Sequence, residues 1–422
     1  MARALTPQDC HALMNSLVEE ATGQQGSIVV TDTSSFVSAG ELVLASGMEN
    51  TLNALSLVLG RTFMAVRPYQ AKLKLINAID TGVYTSRLRK ISFYAREAEA
   101  SGDWNTQLFP DNLLMGADNG AGSNTPPTAT PSMWVQNQPV PLEMNFAGQS
   151  VWEESTTVYE DQVKQAFRSE AEFASFVAGI MTEKGNDIES QKEAFNRMTM
   201  LNFMAGVVDG AQTGSVRHLL TEFNTRFNSS GTPWTAADVL STYLKEFCAF
   251  FTAEFKKASD LLTYRTANFH WSPAKTIGGV NYTLLRHTPK DKQRAVLFQP
   301  LFTEAEALVF PEIFNPQYLS IENYEGVQYW QNFNDPSAID ITPAVPDFLG
   351  ANNGEQLQGS NVHEDYVIGM LYDEDALMVD YQLEASNTTP LEARKRYRNI
   401  WWTFSKNSIN DFTENAIIFL LD

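Results

Sequence analysis

The chain has few of the residues that build metal or disulfide sites. Of its 422 residues only two are cysteines, Cys10 and Cys248, and the five histidines lie at positions 11, 218, 270, 287 and 363. Two cysteines are too few for a disulfide framework or a zinc site, and they suggest a reducing compartment. Cys248 lies among three phenylalanines, so we expect it to pack as a small buried apolar side chain.

Motifs of common catalytic sites are also missing. There is no HExxH zinc motif, no GxSxG esterase motif and no P-loop, so the usual carriers of these chemistries are lacking. Asp373, Glu374 and Asp375 form an acidic run that suits either a hard cation or, with more weight, a turn that caps a short helix following it. His270 is expected to be a hydrogen-bonded core residue. We therefore expect no catalytic residue, no metal, no cofactor and no enzyme activity.

Long hydrophobic runs are absent as well. No segment approaches the length of a membrane span, and the N-terminal residues lack the apolar core of a signal peptide. Hydrophobic residues make up 43% of the chain and charged residues only 19%. This composition suits a well-packed protein whose surface is largely covered by neighbours.

Positive charge is missing from two segments. No Lys or Arg occurs in residues 97–163, which carry ten acids, or in residues 295–393, which carry seventeen. With a net charge of −20, the chain has no broad basic footprint for nucleic-acid phosphates. The two segments are either solvated acidic faces or surfaces that meet basic residues of adjacent copies.

The candidate interface residues are charged or aromatic. They are Arg87, Arg89, Lys90, Arg96, Trp104, Glu153, Glu154, Arg394, Arg396 and Arg398. The last three are predicted to lie on one strand, which would place them on one face. That face would contact acidic neighbours or packaged nucleic acid, or else form local salt bridges.

The sequence does contain a long two-stranded excursion. Residues 88–95 and 142–151 alternate apolar and polar side chains, and the turn-rich tract between them, residues 102–138, cannot form regular structure. Such an arm cannot bury both faces against its own domain, so it needs another chain to lie on. This favours a protein that assembles over one that catalyses.

Helical patterns flank this arm. Residues 1–26 predict a short amphipathic helix, SIVVTDTSSFV an extended piece, and residues 39–59 a second helix. A helix starts again at Ser169, and residues 184–187 predict a stop and restart before a long amphipathic helix that closes at Gly210.

Residues 211–390 predict an α+β domain. Thr235 and Asp238 resemble a capping box at a helix start. The strand candidates are ANFHWSP, VNYTLLRH, RAVLFQPLF, EALVFPEIF and DYVIGMLY. Two terminal strands, residues 394–404 and 415–421, are expected to form one sheet beneath the long helix.

In this order of elements the chain resembles the major capsid proteins of tailed bacteriophages, in particular those of short-tailed phages. Their shell fold is shared with encapsulins and with the floor of herpesvirus capsids. The stretches that carry the resemblance are QSVWEESTTVYEDQVKQAFRSEAEFASFVAGI and RNIWWTFSKNSINDFTENAIIFL. The resemblance implies an α+β shell fold with four parts. They are an N-terminal arm (1–62), a strand segment with an extended loop (63–162, the loop about 84–162), a peripheral domain with a spine helix and terminal strands (163–212 plus 389–422) and an axial domain (213–388).

The resemblance also implies a function and partners. Copies of the chain would form hexamers and pentamers of an icosahedral head, enclosing double-stranded DNA without sequence-specific binding. A separate scaffolding protein, a portal protein and a cement or decoration protein are the implied partners. The location would be the virion capsid, assembled in the cytoplasm of the bacterial host, with no membrane contact. Residues 97–163 contain no Lys, so cross-linking through a loop lysine is not expected. Two alternatives stay open: an encapsulin-like nanocompartment shell, and a carboxylate-dependent hydrolase with residues 97–141 as a lid.

Overall fold

The structure is a computed structural model. It describes residues 7–23, 29–47, 50–51, 54–55, 73, 76–79, 87–96, 139–147, 150–210, 214–273, 275–277, 280–308, 324–347 and 356–422. The helices within these ranges are α1 (Pro7–Thr22), α2 (Thr33–Ala45), α3 (Glu160–Ala166), α4 (Glu170–Asp209), α5 (Leu219–Phe227), α6 (Ala236–Ser241), α7 (Leu244–Leu262) and α8 (Gln299–Leu308). The strands are β1 (Asn77–Ala78), β2 (Arg87–Phe93), β3 (Ala95–Arg96), β4 (Pro141–Ala147), β5 (Ser150–Tyr159), β6 (Val216–His218), β7 (Lys275–Ile277), β8 (Val280–Thr283), β9 (Gln293–Phe298), β10 (Tyr324–Val327), β11 (Ile339–Ile341), β12 (Ala344–Pro346), β13 (Gln356–Gln358), β14 (Val362–Glu364), β15 (Val367–Asp373), β16 (Leu377–Thr388), β17 (Tyr397–Asn410) and β18 (Ala416–Leu420). No helix among the described residues is both long enough and apolar enough to cross a membrane.

Two short helices lead the chain. α1 begins at Pro7, where the fixed φ of proline suits a first helical turn. α2 begins after Asp32, whose carboxylate accepts a hydrogen bond from the Ser35 amide at 2.8 Å, while the Ser35 hydroxyl accepts one from the Asp32 amide at 3.0 Å. The extended piece predicted for SIVVTDTSSFV is therefore wrong from Thr33 onward, because this capping box starts a helix there.

The predicted two-stranded arm is present as the pair β2 and β4, here called the arm. The strands pair antiparallel, from Arg87 opposite Ala147 to Phe93 opposite Pro141. The single strand predicted for residues 142–151 is wrong at its end, because β5 leaves the arm and forms a ten-residue ladder with β17. The predicted tip, residues 102–138, lies outside the described residues.

Two larger sheets carry most of the other strands. The first has the order β1-β16-β17-β5 and the second the order β10-β9-β15-β18-β6. The single sheet predicted for the two terminal strands is therefore wrong: β17 and β18 enter different sheets, joined by the turn at residues 411–415. All five residues of β18 are buried, so both faces of the strand are covered. Its two edges pair with β15 and β6.

α4 is one continuous helix of 40 residues, about 60 Å long at 1.5 Å per residue. The predicted stop and restart at residues 184–187 is wrong. A glycine inside a helix costs only about 1 kcal/mol relative to alanine. Next to Gly185, the Lys184 ammonium pairs with Glu154 at 3.2 Å and with Asp187 at 3.3 Å. Tertiary contacts at both ends of α4 offset the local preference for a break.

α4 also joins two hydrophobic cores. Phe173 and Val177, from its first half, pack with apolar residues of α1, α2, β5 and β17. Phe203 and Met204, from its second half, belong to a larger core with α7, β9, β15 and β18. A single rigid rod therefore connects both packed regions.

The larger core confirms several sequence predictions. Asp238 and Thr235 form the predicted capping box at the start of α6, and DYVIGMLY contains β15. Cys248 is buried among the α7 phenylalanines, as predicted. RAVLFQPLF, in contrast, is β9 followed by the start of α8, and ANFHWSP forms no strand. The α+β class predicted from the sequence is confirmed.

Candidate assembly surface

One face of the arm is not covered by the residues of its own chain that the structure describes. The register places Arg89, Ile91 and Phe93 on this outer face, opposite Asn145, Glu143 and Pro141. Ile91 is 52% exposed and Phe93 60% exposed. Two neighbouring apolar side chains left open on one strand are a feature of contact surfaces.

A polar pair borders these apolar residues. The Arg89 guanidinium lies 2.7 Å from the Glu143 carboxylate across the arm, and both side chains are exposed. Exposed pairs of this kind contribute about 0–1 kcal/mol, so the pair shapes the outer face more than it stabilises the fold. The candidate residue Arg89 thus has a partner within its own chain.

The inner face of the arm binds its own chain. The Lys90 ammonium pairs with the carboxylates of Asp411 and Glu414. The Ser92 hydroxyl accepts a hydrogen bond from the Arg286 guanidinium at 2.6 Å. Burial raises the pKa of Glu414, and the charges of Lys90 and Arg286 act in the opposite direction.

β5 is the edge strand of the first sheet, and its two faces differ. Val151, Glu153 and Tyr159 are exposed on one face. On the other face, the Glu154 carboxylate accepts a hydrogen bond from Gln191 at 2.5 Å and pairs with Lys184 at 3.2 Å. These contacts attach the edge strand to α4, while the Glu153 side chain stays exposed to solvent.

An aromatic–cation contact lies behind this edge. The ammonium of Lys406 is 3.2 Å from the centroid of the Trp152 ring. Burial lowers the pKa of Lys406 to about 8, and Lys192 acts in the same direction while Glu154 opposes it. The face of an aromatic ring is a favourable site for a desolvated cation, so Trp152 helps to hold β5 against β17.

The exposed face of β5 and β17, here called the aromatic sheet face, contains Tyr159, Tyr397 and Trp401. The rings of Tyr159 and Tyr397 lie 5.8 Å apart, and Trp401 is partly exposed. The aromatic sheet face is therefore a second exposed apolar surface, and it includes part of the edge strand β5.

The three C-terminal arginines do not share a face, and the strand predicted from residue 394 is wrong at its start. Arg394 and Arg396 are exposed in a turn at residues 393–396, and the strand begins at Tyr397. The turn forms because Arg396 has a φ of +54° and its amide donates to the Glu392 carbonyl at 2.8 Å. Arg398, on β17, is buried.

Three other candidates are only partly described. Arg87 and Arg96 lie on β2 and β3, with side chains outside the described part, and Trp104 lies outside it entirely. Contact of any candidate residue with another copy stays a prediction.

Sequence reasoning missed Ile91, Phe93, Trp152 and Trp401 as surface residues. A signal existed in the adjacent pair Trp401-Trp402. Neighbouring residues of a strand point to opposite faces, so one of the two tryptophans had to face away from the core.

The described part of the chain contains few groups placed for metal binding or acid–base chemistry. No three of its His, Cys, Asp and Glu residues come together as a metal site. His270 is buried, with ring nitrogens 3.0 Å from Asn415 and from the Leu284 carbonyl, as expected of a core histidine. Asp373 accepts hydrogen bonds from the Thr288 hydroxyl and the Asp375 amide. The acidic run lies in a turn, but the expected short helix after it is wrong, because residues 374–376 lead into β16.

No family model matches the chain, and no curated protein matches its sequence. Solved structures show a distant similarity over most of the chain. The capsid of Staphylococcus phage Andhra is 11% identical, with a TM-score of 0.48 over 84% of each chain. A structure of the head fibre and inner core protein gp22 of bacteriophage P68 is 11% identical, with a TM-score of 0.47 over 84% of this chain and 85% of the other. The mature capsid of bacteriophage PhiM1 is 10% identical, with a TM-score of 0.40 over 83% of this chain and 87% of the other. All three structures come from phage particles.

Proposed function

We propose that the chain is a major capsid protein of a tailed bacteriophage. Its copies would form the hexamers and pentamers of an icosahedral head that encloses double-stranded DNA. The observation that carries this proposal is the open outer face of the arm. Ile91 and Phe93 are more than half exposed on a strand pair that is fastened to its own body by the opposite face. A rigidly held apolar surface is suited to contact a second copy.

The energies involved suit a closed shell better than a dimer. Full burial of an Ile or Phe side chain contributes about 1.5–3 kcal/mol, so covering the exposed half of each contributes about 1 kcal/mol. Such a contact is weak in a pair of molecules. It becomes sufficient when every copy makes it and the assembly closes on itself.

Charge supports the same function. The net charge of −20 and the two segments without Lys or Arg would keep DNA from adhering to the inner wall during filling. Tight DNA binding by empty shells at moderate salt would contradict this part of the proposal.

The resemblance supplies the remaining parts of the proposal. Residues 163–212 plus 389–422 would form the peripheral domain, and residues 213–388 the axial domain. The partners would be other copies, a separate scaffolding protein, a portal protein and a cement or decoration protein. Assembly would take place in the host cytoplasm, and the final location would be the virion capsid.

Electron microscopy of the purified full-length chain tests the proposal. We expect shells, sheets or capsomers for the unchanged protein. The double variant Ile91→Ser/Phe93→Ser should raise the protein concentration needed for assembly by at least tenfold, since a loss of about 1.4 kcal/mol is a factor of ten. Tyr264→Ser is the matched control, because Tyr264 is also half exposed, at 53%, but follows the end of α7 and is not part of the arm.

Two results would refute the assembly role of the arm. One is an unchanged protein that stays monomeric at high concentration. The other is a double variant that assembles at the same concentration as the control.

A further inference from the structure

The inner face of the arm meets a compact charged cluster. Lys90 pairs with both Asp411 and Glu414. Arg286 donates to the Ser92 hydroxyl at 2.6 Å and lies 3.5 Å from the Glu414 carboxylate. Two cations and two carboxylates thus balance one another between the arm and the turn at residues 411–415.

This cluster is shielded from water. The Asp411 side chain is fully buried and that of Glu414 nearly so, while Lys90 and Arg286 are about one-fifth exposed. Charges in such a setting interact far more strongly than on an open surface, and a partner left alone is strongly unfavourable. Arg89, the next residue on β2, offers a contrast because its ion pair lies on the exposed face within the arm itself.

The turn that receives Lys90 is firmly held. The Asp411 carboxylate accepts hydrogen bonds from the amide and the hydroxyl of Thr413, at 2.9 and 2.7 Å. The Phe412 carbonyl accepts one from the Trp271 amide at 2.8 Å. The Phe412 ring stacks on Phe203 of α4 with centroids 5.1 Å apart. The arm binds this turn and the turn packs on α4, so the turn sets the direction of the arm relative to α4.

The arm has two further attachments. After two residues β4 is followed by β5, which pairs with β17 over ten residues. β3 pairs with β8 over two residues, and the Lys275 ammonium lies 5.9 Å from the Tyr94 ring. A ladder of two residues can serve as a pivot but does little to fix an angle.

We propose that Lys90, Arg286, Asp411 and Glu414 form an electrostatic latch that holds the arm at one angle to α4 within a single chain. When the latch is broken, the arm stays connected through β5 and the β3–β8 ladder, and its angle to α4 becomes more variable. Lys90 is a positioning residue in this scheme, since it acts by directing the outer face. The latch itself does not depend on shell assembly. Its use, to set the direction in which the arm reaches another copy, rests on the proposed function.

Distance measurement between two nitroxide labels tests the latch. The labels are placed on Asn145→Cys in the arm and Met198→Cys on α4, both exposed positions. Cys10 and Cys248 are buried and need not be replaced. Labelled full-length chain is diluted with unlabelled chain, so that only distances within one molecule are read by pulsed electron paramagnetic resonance.

Four further changes are compared in this labelled protein. Lys90→Met should at least double the width of the distance distribution, and Lys90→Arg should keep it narrow. Arg89→Met is the control, because it removes the neighbouring exposed charge, and its distribution should equal that of the unchanged protein. Lys90→Met/Asp411→Asn removes one charge of each sign and leaves Glu414 with Arg286, so it opens the latch without an unbalanced buried charge. It should also broaden the distribution.

The outcomes separate this inference from the proposed function. Equal widths for Arg89→Met and the charge-balanced double variant would overturn the latch. Broad distributions in both Lys90→Met variants, with a narrow one in Lys90→Arg, would support it even if microscopy finds no shells in any sample. In that case only the proposed function would be refuted.

Discussion

The contact between α4 and the turn at residues 411–415 makes a quantitative prediction about Gly206. A Cβ added at Gly206 would lie 2.5 Å from Cε1 and 2.6 Å from Cζ of Phe412, and 2.9 Å from Cγ1 of Val345. Phe412 cannot withdraw easily, because its ring is stacked on Phe203 and its carbonyl is bound by the Trp271 amide. The change Gly206→Ala therefore forces overlap on two sides.

The expected effect combines two opposing energies. Overpacking of a core costs about 1–3 kcal/mol, and with two sides blocked we expect the upper part of that range. Alanine gains about 1 kcal/mol over glycine inside a helix. The net result should be a loss of about 1–2 kcal/mol in the free energy of unfolding. Gly179, on the same helix, has no atom within 4 Å of an added Cβ, so Gly179→Ala should gain about 1 kcal/mol.

Urea unfolding followed by tryptophan fluorescence measures both variants, and the opposite signs are the test. Phe412→Leu on the Gly206→Ala background should recover part of the loss, because the shorter side chain vacates the overlapping volume. If Gly206→Ala stabilises the protein as much as Gly179→Ala does, the close approach of α4 to this turn is refuted.

Two predictions concern buried titratable groups. Burial lowers the pKa of His270 from 6.5 to about 4, so the unfolded chain takes up a proton first as the pH falls, and stability present above pH 6.5 is lost towards pH 4. The unchanged protein should lose roughly 3 kcal/mol more than His270→Gln between pH 7 and 4 in urea titrations, and parallel pH profiles would contradict this. Burial raises the pKa of the Cys248 thiol to about 12, so iodoacetamide at pH 8 should modify it only after unfolding. Modification of the native chain at the rate of a free thiol would show that Cys248 is accessible.

Local patterns predicted the parts of the fold that depend on local chemistry. The alternation in residues 88–95 and 142–151 predicted the arm, although its strands end earlier, at Phe93 and Ala147. Thr235 with Asp238 predicted a helix start, and the apolar run at residues 365–372 predicted a buried strand. The prediction failed at residues 184–187, where glycine and asparagine favour a break locally. The ion pair from Lys184 to Glu154 of β5 forms only in the folded structure and was not visible in the pattern, and it adds to the local i,i+3 pair of Lys184 with Asp187.

The candidate surface was predictable only in outline. Alternation shows that a strand has two faces, but it does not show which face the rest of the chain covers. Lys90 and Arg89 are adjacent and carry the same charge. The position of the turn at residues 411–415 leaves the Lys90 side chain only one-fifth exposed, whereas the Arg89 side chain is more than half exposed.

The division of β17 and β18 between two sheets has a consequence for synthesis. β17 lies between β16 and β5, and β18 lies between β15 and β6, so each sheet has a gap at its interior until the last of these residues is available. A nascent chain that has not yet released residue 410 from the ribosome can complete neither sheet, and one that has not released residue 420 cannot complete the second. The two sheets therefore become complete within ten residues of each other during synthesis, at residues 410 and 420, which limits the time during which a subunit with only one finished sheet can associate with other copies.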